Sequence, residues 1–116
     1  MIVVVDDDSI VRRGLHRLLS KQFDVPVRVF ENAEAFVGDV DAVEGARLVI
    51  TDQEMGRGMK GTELVRHLKA HLPQLPVVVY SGIEVDCTEA DGVYRKVVDD
   101  EGLTRKLQEL MAPPAP

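Results

Sequence analysis

Leu48-Val49-Ile50-Thr51-Asp52 reads as a short buried strand that stops on a carboxylate, and three further stretches share that design. Ile2-Val3-Val4-Val5 runs into Asp6-Asp7, Val77-Val78-Val79-Tyr80 into Ser81, and Val93-Tyr94-Arg95 into Lys96. Strands of nearly unbroken Val, Ile and Leu are those covered on both faces of a parallel sheet. In such a sheet the carboxyl ends of the strands lie along one edge, and ligands bind there where the strand order reverses. The polar endings are therefore expected to converge on one site.

The intervening stretches have helical periodicity. Val11, Leu15, Leu18 and Leu19 follow the first strand, with Arg12, Arg13, His16 and Arg17 on the opposite side. Val25-Pro26-Val27-Arg28-Val29-Phe30 alternates, and Pro26 cannot donate to a ladder, which assigns this strand to a sheet edge. Ala33, Phe36, Val37 and Val40 predict one helix with Asn32 as its N-cap. Gly61, Leu64, Val65, Leu68 and Leu72 predict another, stopped by Pro73. Leu103, Leu107, Leu110 and Met111 predict the last, capped by Asp99 or Asp100.

Strand and helix thus alternate five times, as in an α/β protein. The second and fifth strands carry polar residues and belong at the edges. The expected fold is a flavodoxin-like, doubly wound sheet of five parallel strands in the order 2-1-3-4-5. Residues 82–91 are acidic and lack an apolar stripe, and a parallel crossover needs about a dozen residues or more. The fourth crossover helix is therefore expected to be shortened or absent.

With 116 residues, 45% of them apolar and 29% charged, the chain has material for one core. One domain is expected over residues 1–111, followed by a stiff Pro-rich tail at 112–116. A net charge of -6 without a clustered basic face argues against a nucleic-acid surface. The lone Cys87 precludes an internal disulfide and fits a reducing compartment. No apolar run has membrane-spanning length, and no basic leader precedes Asp6-Asp7-Asp8. The expectation is a cytoplasmic protein with neither nucleic-acid nor membrane contacts.

A carboxylate accepts a phosphoryl group when a divalent cation holds the phosphate oxygens and the donor is already activated. Mg2+ prefers oxygen ligands and binds through one or two carboxylates plus phosphate and water. Asp7 and Asp52 are candidate direct ligands, with Asp6 ordering a water and the Glu54 carbonyl adding an oxygen. Ser81 can donate a hydrogen bond to a phosphoryl oxygen, and Lys96 supplies a compact point charge. Taken singly these residues mean little, since an Asp at position 7 or 8 is more often a helix cap. Their joint placement at strand ends gives the pattern its weight.

Over essentially its whole length the sequence resembles the receiver domain of two-component response regulators. The resemblance is carried by Val3-Val4-Val5-Asp6-Asp7-Asp8-Ser9, Leu48-Val49-Ile50-Thr51-Asp52-Gln53-Glu54-Met55, Gly61-Thr62-Glu63-Leu64, Val77-Val78-Val79-Tyr80-Ser81-Gly82 and Lys96. It implies that Asp52 takes a phosphoryl group from a histidine kinase or phosphotransfer protein. It further implies that Asp6 and Asp7 hold Mg2+, and that Ser81 and Lys96 read the phosphoryl group. Such a chain is a phosphoacceptor and not an enzyme, self-dephosphorylation aside, and its downstream protein partner is unspecified.

The sequence departs from that family at several points. The loop after Met55 is one residue longer and rich in glycine, which predicts a mobile segment. Val97 follows Lys96 where the family has a cis proline, so a trans bond is expected. Val93 occupies the position of the family's switch aromatic. The stretch from Ser81 to Lys96 is shorter by about two helical turns. The short crossover and the missing aromatic favour an alternative reading, a receiver-like interaction scaffold that binds partners without phosphorylation, while the complete acid set counts against it. Asp6-Asp7-Asp8 with Ser81, Lys96 and Asp99-Asp100 also fits a haloacid-dehalogenase-type phosphatase, although that reading leaves Asp52 without a role.

Overall fold

In a computed structural model, which describes residues 1–113, the apolar runs become strands of one sheet. They are β1 (Ile2–Val5), β2 (Val27–Phe30), β3 (Leu48–Thr51), β4 (Val77–Ser81) and β5 (Gly92–Arg95). All pair in parallel, in the order β2-β1-β3-β4-β5. Of the expected tail, Pro114-Ala115-Pro116 lies outside the described residues.

Side chains alternate across the sheet and make two cores. Val3, Val5, Val49, Val77 and Val79 face one side, under α2 (Ala33–Val37), α3 (Val40–Gly45) and α4 (Gly61–His71). Ile2, Val4, Leu48, Ile50 and Val78 face the other, under α1 (Ser9–Gln22) and α5 (Asp100–Met111). Every residue of β1, β3 and β4 is buried, whereas β2 and β5 are partly exposed edges. Full burial of a Val or Leu side chain stabilises by roughly 1.5–3 kcal/mol, so the central strands hold the frame.

Several expectations need correction. The stripe from Ala33 to Val40 forms two helices, because Asp39 starts a new one with its Oδ1 accepting from Ala42 N at 3.0 Å. Gly38, the weakest helix former in the stretch, is where the chain turns. Val40 is consequently 63% exposed, and Leu18 also points outward. Asn32 does cap α2, with Oδ1 accepting from Ala35 N at 2.8 Å. Neither Asp99 nor Asp100 caps α5 through its side chain. Asp99 Oδ2 accepts from Arg95 N, and Asp100 Oδ1 accepts from Val97 N and the Tyr80 hydroxyl.

Residues 82–91 contain no helix. Val85, Cys87 and Ala90 from this strap fill the core in its place. Arg66 of α4 pairs with Glu89 at 2.7 Å, and Lys69 with Asp91 at 2.7 Å. Asp91 Oδ2 also accepts from Val77 N, which fastens the strap to the start of β4.

Candidate functional site

Register brings the strand endings together. Val5 pairs with Thr51, Thr51 with Val79 and Ser81 with Arg95. Asp6 and Asp52 are therefore neighbours beyond adjacent strands, tied by Asp52 N donating to Val5 O at 2.8 Å. Lys96 N donates to Ser81 O at 2.8 Å, so the β5 ending joins the same edge.

One carboxylate oxygen from each of Asp6, Asp7 and Asp52 lies within 4.8 Å of the others. Asp6 and Asp52 are buried, whereas Asp7 is exposed at the mouth. Lys96 Nζ bridges the buried pair, 2.8 Å from Asp6 Oδ2 and 3.2 Å from Asp52 Oδ2. The second oxygens are held by backbone: Asp8 N donates to Asp6 Oδ1 at 2.9 Å, and Gln53 N to Asp52 Oδ1 at 2.8 Å. Arg12 Nη1 donates to the Asp6 carbonyl at 2.8 Å and fixes the turn from behind.

Burial pushes the Asp6 carboxyl above its usual pKa, against the opposing pull of Lys96 and the Asp8 N–H. Burial also works against charge on Lys96, but the Asp6 and Asp52 carboxylates outweigh it and raise its pKa. Lys96 is one cation shared by two buried acids, and among the described residues Asp7 has no ion-pair partner. The cluster remains short of positive charge. Its donors are hard carboxylate oxygens on a rigid strand edge, a set that fits Mg2+.

The remaining expected residues divide. Asp8 is the cap of α1, with Oδ1 accepting from Ile10 N at 2.8 Å and Val11 N at 3.3 Å. Asp7 is thereby left to the cluster. Ser81 is 1% exposed, and its Oγ accepts from Ile83 N at 3.3 Å. The Glu54 carboxylate turns away to Lys60 Nζ at 2.6 Å, so its side chain is not part of the acidic cluster. The Lys96–Val97 bond is trans, and Val97 takes a positive φ of 69°. Asp99 and Asp100 are occupied at the start of α5, which removes the acid pair that the phosphatase reading requires.

Two supports escaped sequence reasoning. Gln53 hooks the first turn of α4, its Oε1 accepting from Thr62 N at 2.8 Å and its Nε2 donating to Thr62 Oγ1 at 3.3 Å. Glu34 of α2 reaches the glycine-rich loop, where its Oε2 accepts from Met59 N at 2.6 Å. With the Lys60–Glu54 pair, this fastens a segment that composition alone predicts to be mobile. Glu34 gave no sequence signal, since an exposed acid in a first helical turn is ordinary.

The model of the response regulator receiver domain family matches residues 2–108. A response regulator from Thermotoga maritima, TrrA in complex with Mg2+ and BeF, is similar with a TM-score of 0.83 and 23% identity, over 95% of this chain and 97% of that one. The BeF3-activated DrrB receiver domain gives a TM-score of 0.80 at 23% identity, over 95% of each chain. RcsB from Salmonella enterica serovar Typhimurium, bound to a promoter, gives 0.77 at 24% identity, over 91% of this chain and 64% of that one. The chain thus spans a little under two thirds of the RcsB chain, and at these identities the likeness is one of fold. No curated protein matches the sequence significantly. Matched over nearly all its length, with the parallel sheet in 2-1-3-4-5 order and the acids at its switch point, the chain belongs to the response regulator receiver domain family of two-component signalling.

Proposed function

We propose that Asp52 accepts a phosphoryl group from a histidine kinase or phosphotransfer protein, in the cytoplasm, with Mg2+ bound by Asp6, Asp7, Asp52 and the Glu54 carbonyl. The observation that carries this reading is the close approach of three carboxylates, two of them buried and bridged by Lys96. When bound, Mg2+ would neutralise charge on the phosphoryl oxygens and on the acids.

The rest is done by the chain's own groups. Gln53 N holds Asp52 Oδ1, which leaves Oδ2 to attack phosphorus. The P–N bond to the donor imidazole breaks, and its electron pair stays on the departing nitrogen. Lys96 Nζ already sits 3.2 Å from Asp52 Oδ2 and can pass from the carboxylate to a phosphoryl oxygen. The Ser81 hydroxyl donates to another oxygen. Burial of Asp6 and Asp52 removes competing water and strengthens each of these contacts.

Asp52→Asn should abolish labelling by a small phosphodonor such as acetyl phosphate, with the fold retained. Full labelling of that variant at another carboxylate overturns the assignment. A second reading, a scaffold that binds partners unphosphorylated, is favoured by the absence of a helix in residues 82–91 and by Val93. A wild-type chain that takes neither acetyl phosphate nor beryllofluoride in Mg2+ would establish it.

A further inference from the structure

We propose that His67 and His71 form a second metal site, for a borderline transition-metal cation such as Zn2+. The two residues stand four apart on α4, so one turn of helix presents both imidazoles on the same face. Their rings are 4.7 Å apart between centroids and tilted by 38°. Two imidazole nitrogens on one tetrahedral zinc ion lie about 3.3 Å apart, a spacing that small side-chain rotations reach from this arrangement.

The tautomer is already suitable. His71 Nδ1 lies 2.9 Å from the His67 carbonyl oxygen. A carbonyl only accepts, so Nδ1 carries the proton and the neutral ring has its lone pair on Nε2. A ring N–H bonded to a backbone carbonyl is the usual support of a metal-bound histidine. Glu44 of α3 lines the same groove as both histidines, beside Val40 and Leu72, but its carboxylate and the two imidazoles do not all lie within 4.8 Å of one another. The ion is held by the two imidazoles on α4, and water completes the coordination.

The two metal sites divide by ligand chemistry. The strand-edge cluster offers hard oxygen ligands, suited to Mg2+, whereas imidazole selects zinc, copper or nickel. Millimolar Mg2+ therefore occupies the acids and leaves the histidines free. Leu68 stands where a zinc-hydrolase helix would carry its general base, so the site binds and does no chemistry.

Zn2+ titrated by calorimetry into the 116-residue chain in millimolar Mg2+ should bind once per chain. Nitrogen chemical shifts should move at Nε2 of His67 and His71 and stay fixed at His16. His67→Ala and His71→Ala should each weaken binding by about tenfold or more. Alanine is the best helix former, so α4 survives both replacements, as its circular dichroism would verify. Unmoved imidazole signals, or an affinity unchanged by His71→Ala, overturn the proposal. So does Zn2+ binding that is lost in Asp7→Ala and kept in both histidine variants.

Discussion

Gly61→Ala is the sharpest test of how the phosphoacceptor is held. Gly61 opens α4 and packs on the turn after Asp52, with its N–H donating to Gln53 O at 3.0 Å. A Cβ there would overlap the Asp52 carbonyl oxygen and lie 2.9 Å from its carbon and 3.0 Å from Gln53 Cα. All of these are backbone atoms, so no side chain can swing aside. Relieving the overlap with the Asp52 carbonyl oxygen to an ordinary separation of about 3.5 Å requires α4 or the Asp52 turn to move by more than about 1 Å. Overpacking of this kind costs about 1–3 kcal/mol, against a helix-propensity gain of up to about 1 kcal/mol. A net loss of roughly 1–2 kcal/mol should follow, read by urea unfolding. Asp52 would be displaced too, and a misplacement near 1 Å can slow a reaction by about a hundredfold. Labelling by acetyl phosphate should therefore slow much more than stability falls. Gly14→Ala is the control, since nothing lies within 4 Å of its Cβ and α1 should gain about 0.5–1 kcal/mol. Unchanged stability and labelling in Gly61→Ala would refute the close approach of α4 to Asp52.

Mg2+ should raise the melting temperature by linkage, worth about 2.7 kcal/mol at a hundredfold excess over Kd. Asp7→Ala should remove that rise, whereas Asp8→Ala should cost about 1 kcal/mol as a lost cap and leave the rise in place; equal effects would contradict this division of labour. Burial and the hydrogen bond to Asp100 push the Tyr80 phenol from 10.0 to about 12. The unfolded chain releases that proton first, so stability held below pH 10 should drain between pH 10 and about 12. Tyr80→Phe should flatten that part of the stability curve, and a curve identical to wild type would remove the phenol as its cause. Beryllofluoride should shift amide signals mainly in residues 56–61 and 82–91, loosening the Glu34–Met59 and Arg66–Glu89 contacts, with no dimer formed. Activation-dependent dimers built on β5 and α5 would show that output runs elsewhere.

The sequence alone determined the frame. Unbroken Val and Ile runs mark β1, β3 and β4 as central, because only a strand covered on both faces buries consecutive apolar residues. Parallel pairing then forces Asp6, Asp52, Ser81 and Lys96 to one edge, and the strand order follows from which runs tolerate polar residues. The short strap was legible as well, since ten residues cannot carry a full crossover helix across a sheet. Tertiary structure decided the partners. Lys96 reaches Asp52 across 44 positions, Glu34 reaches Met59 across 25, and no local period records such choices. Asp8 and not Asp7 became the cap of α1, and Asp39 divided a helix that periodicity read as continuous. Apolar periodicity reports which face of an element is buried, a property of neighbouring residues. A carboxylate has several donors within reach, and which one it takes depends on the geometry of chain segments that meet only after folding.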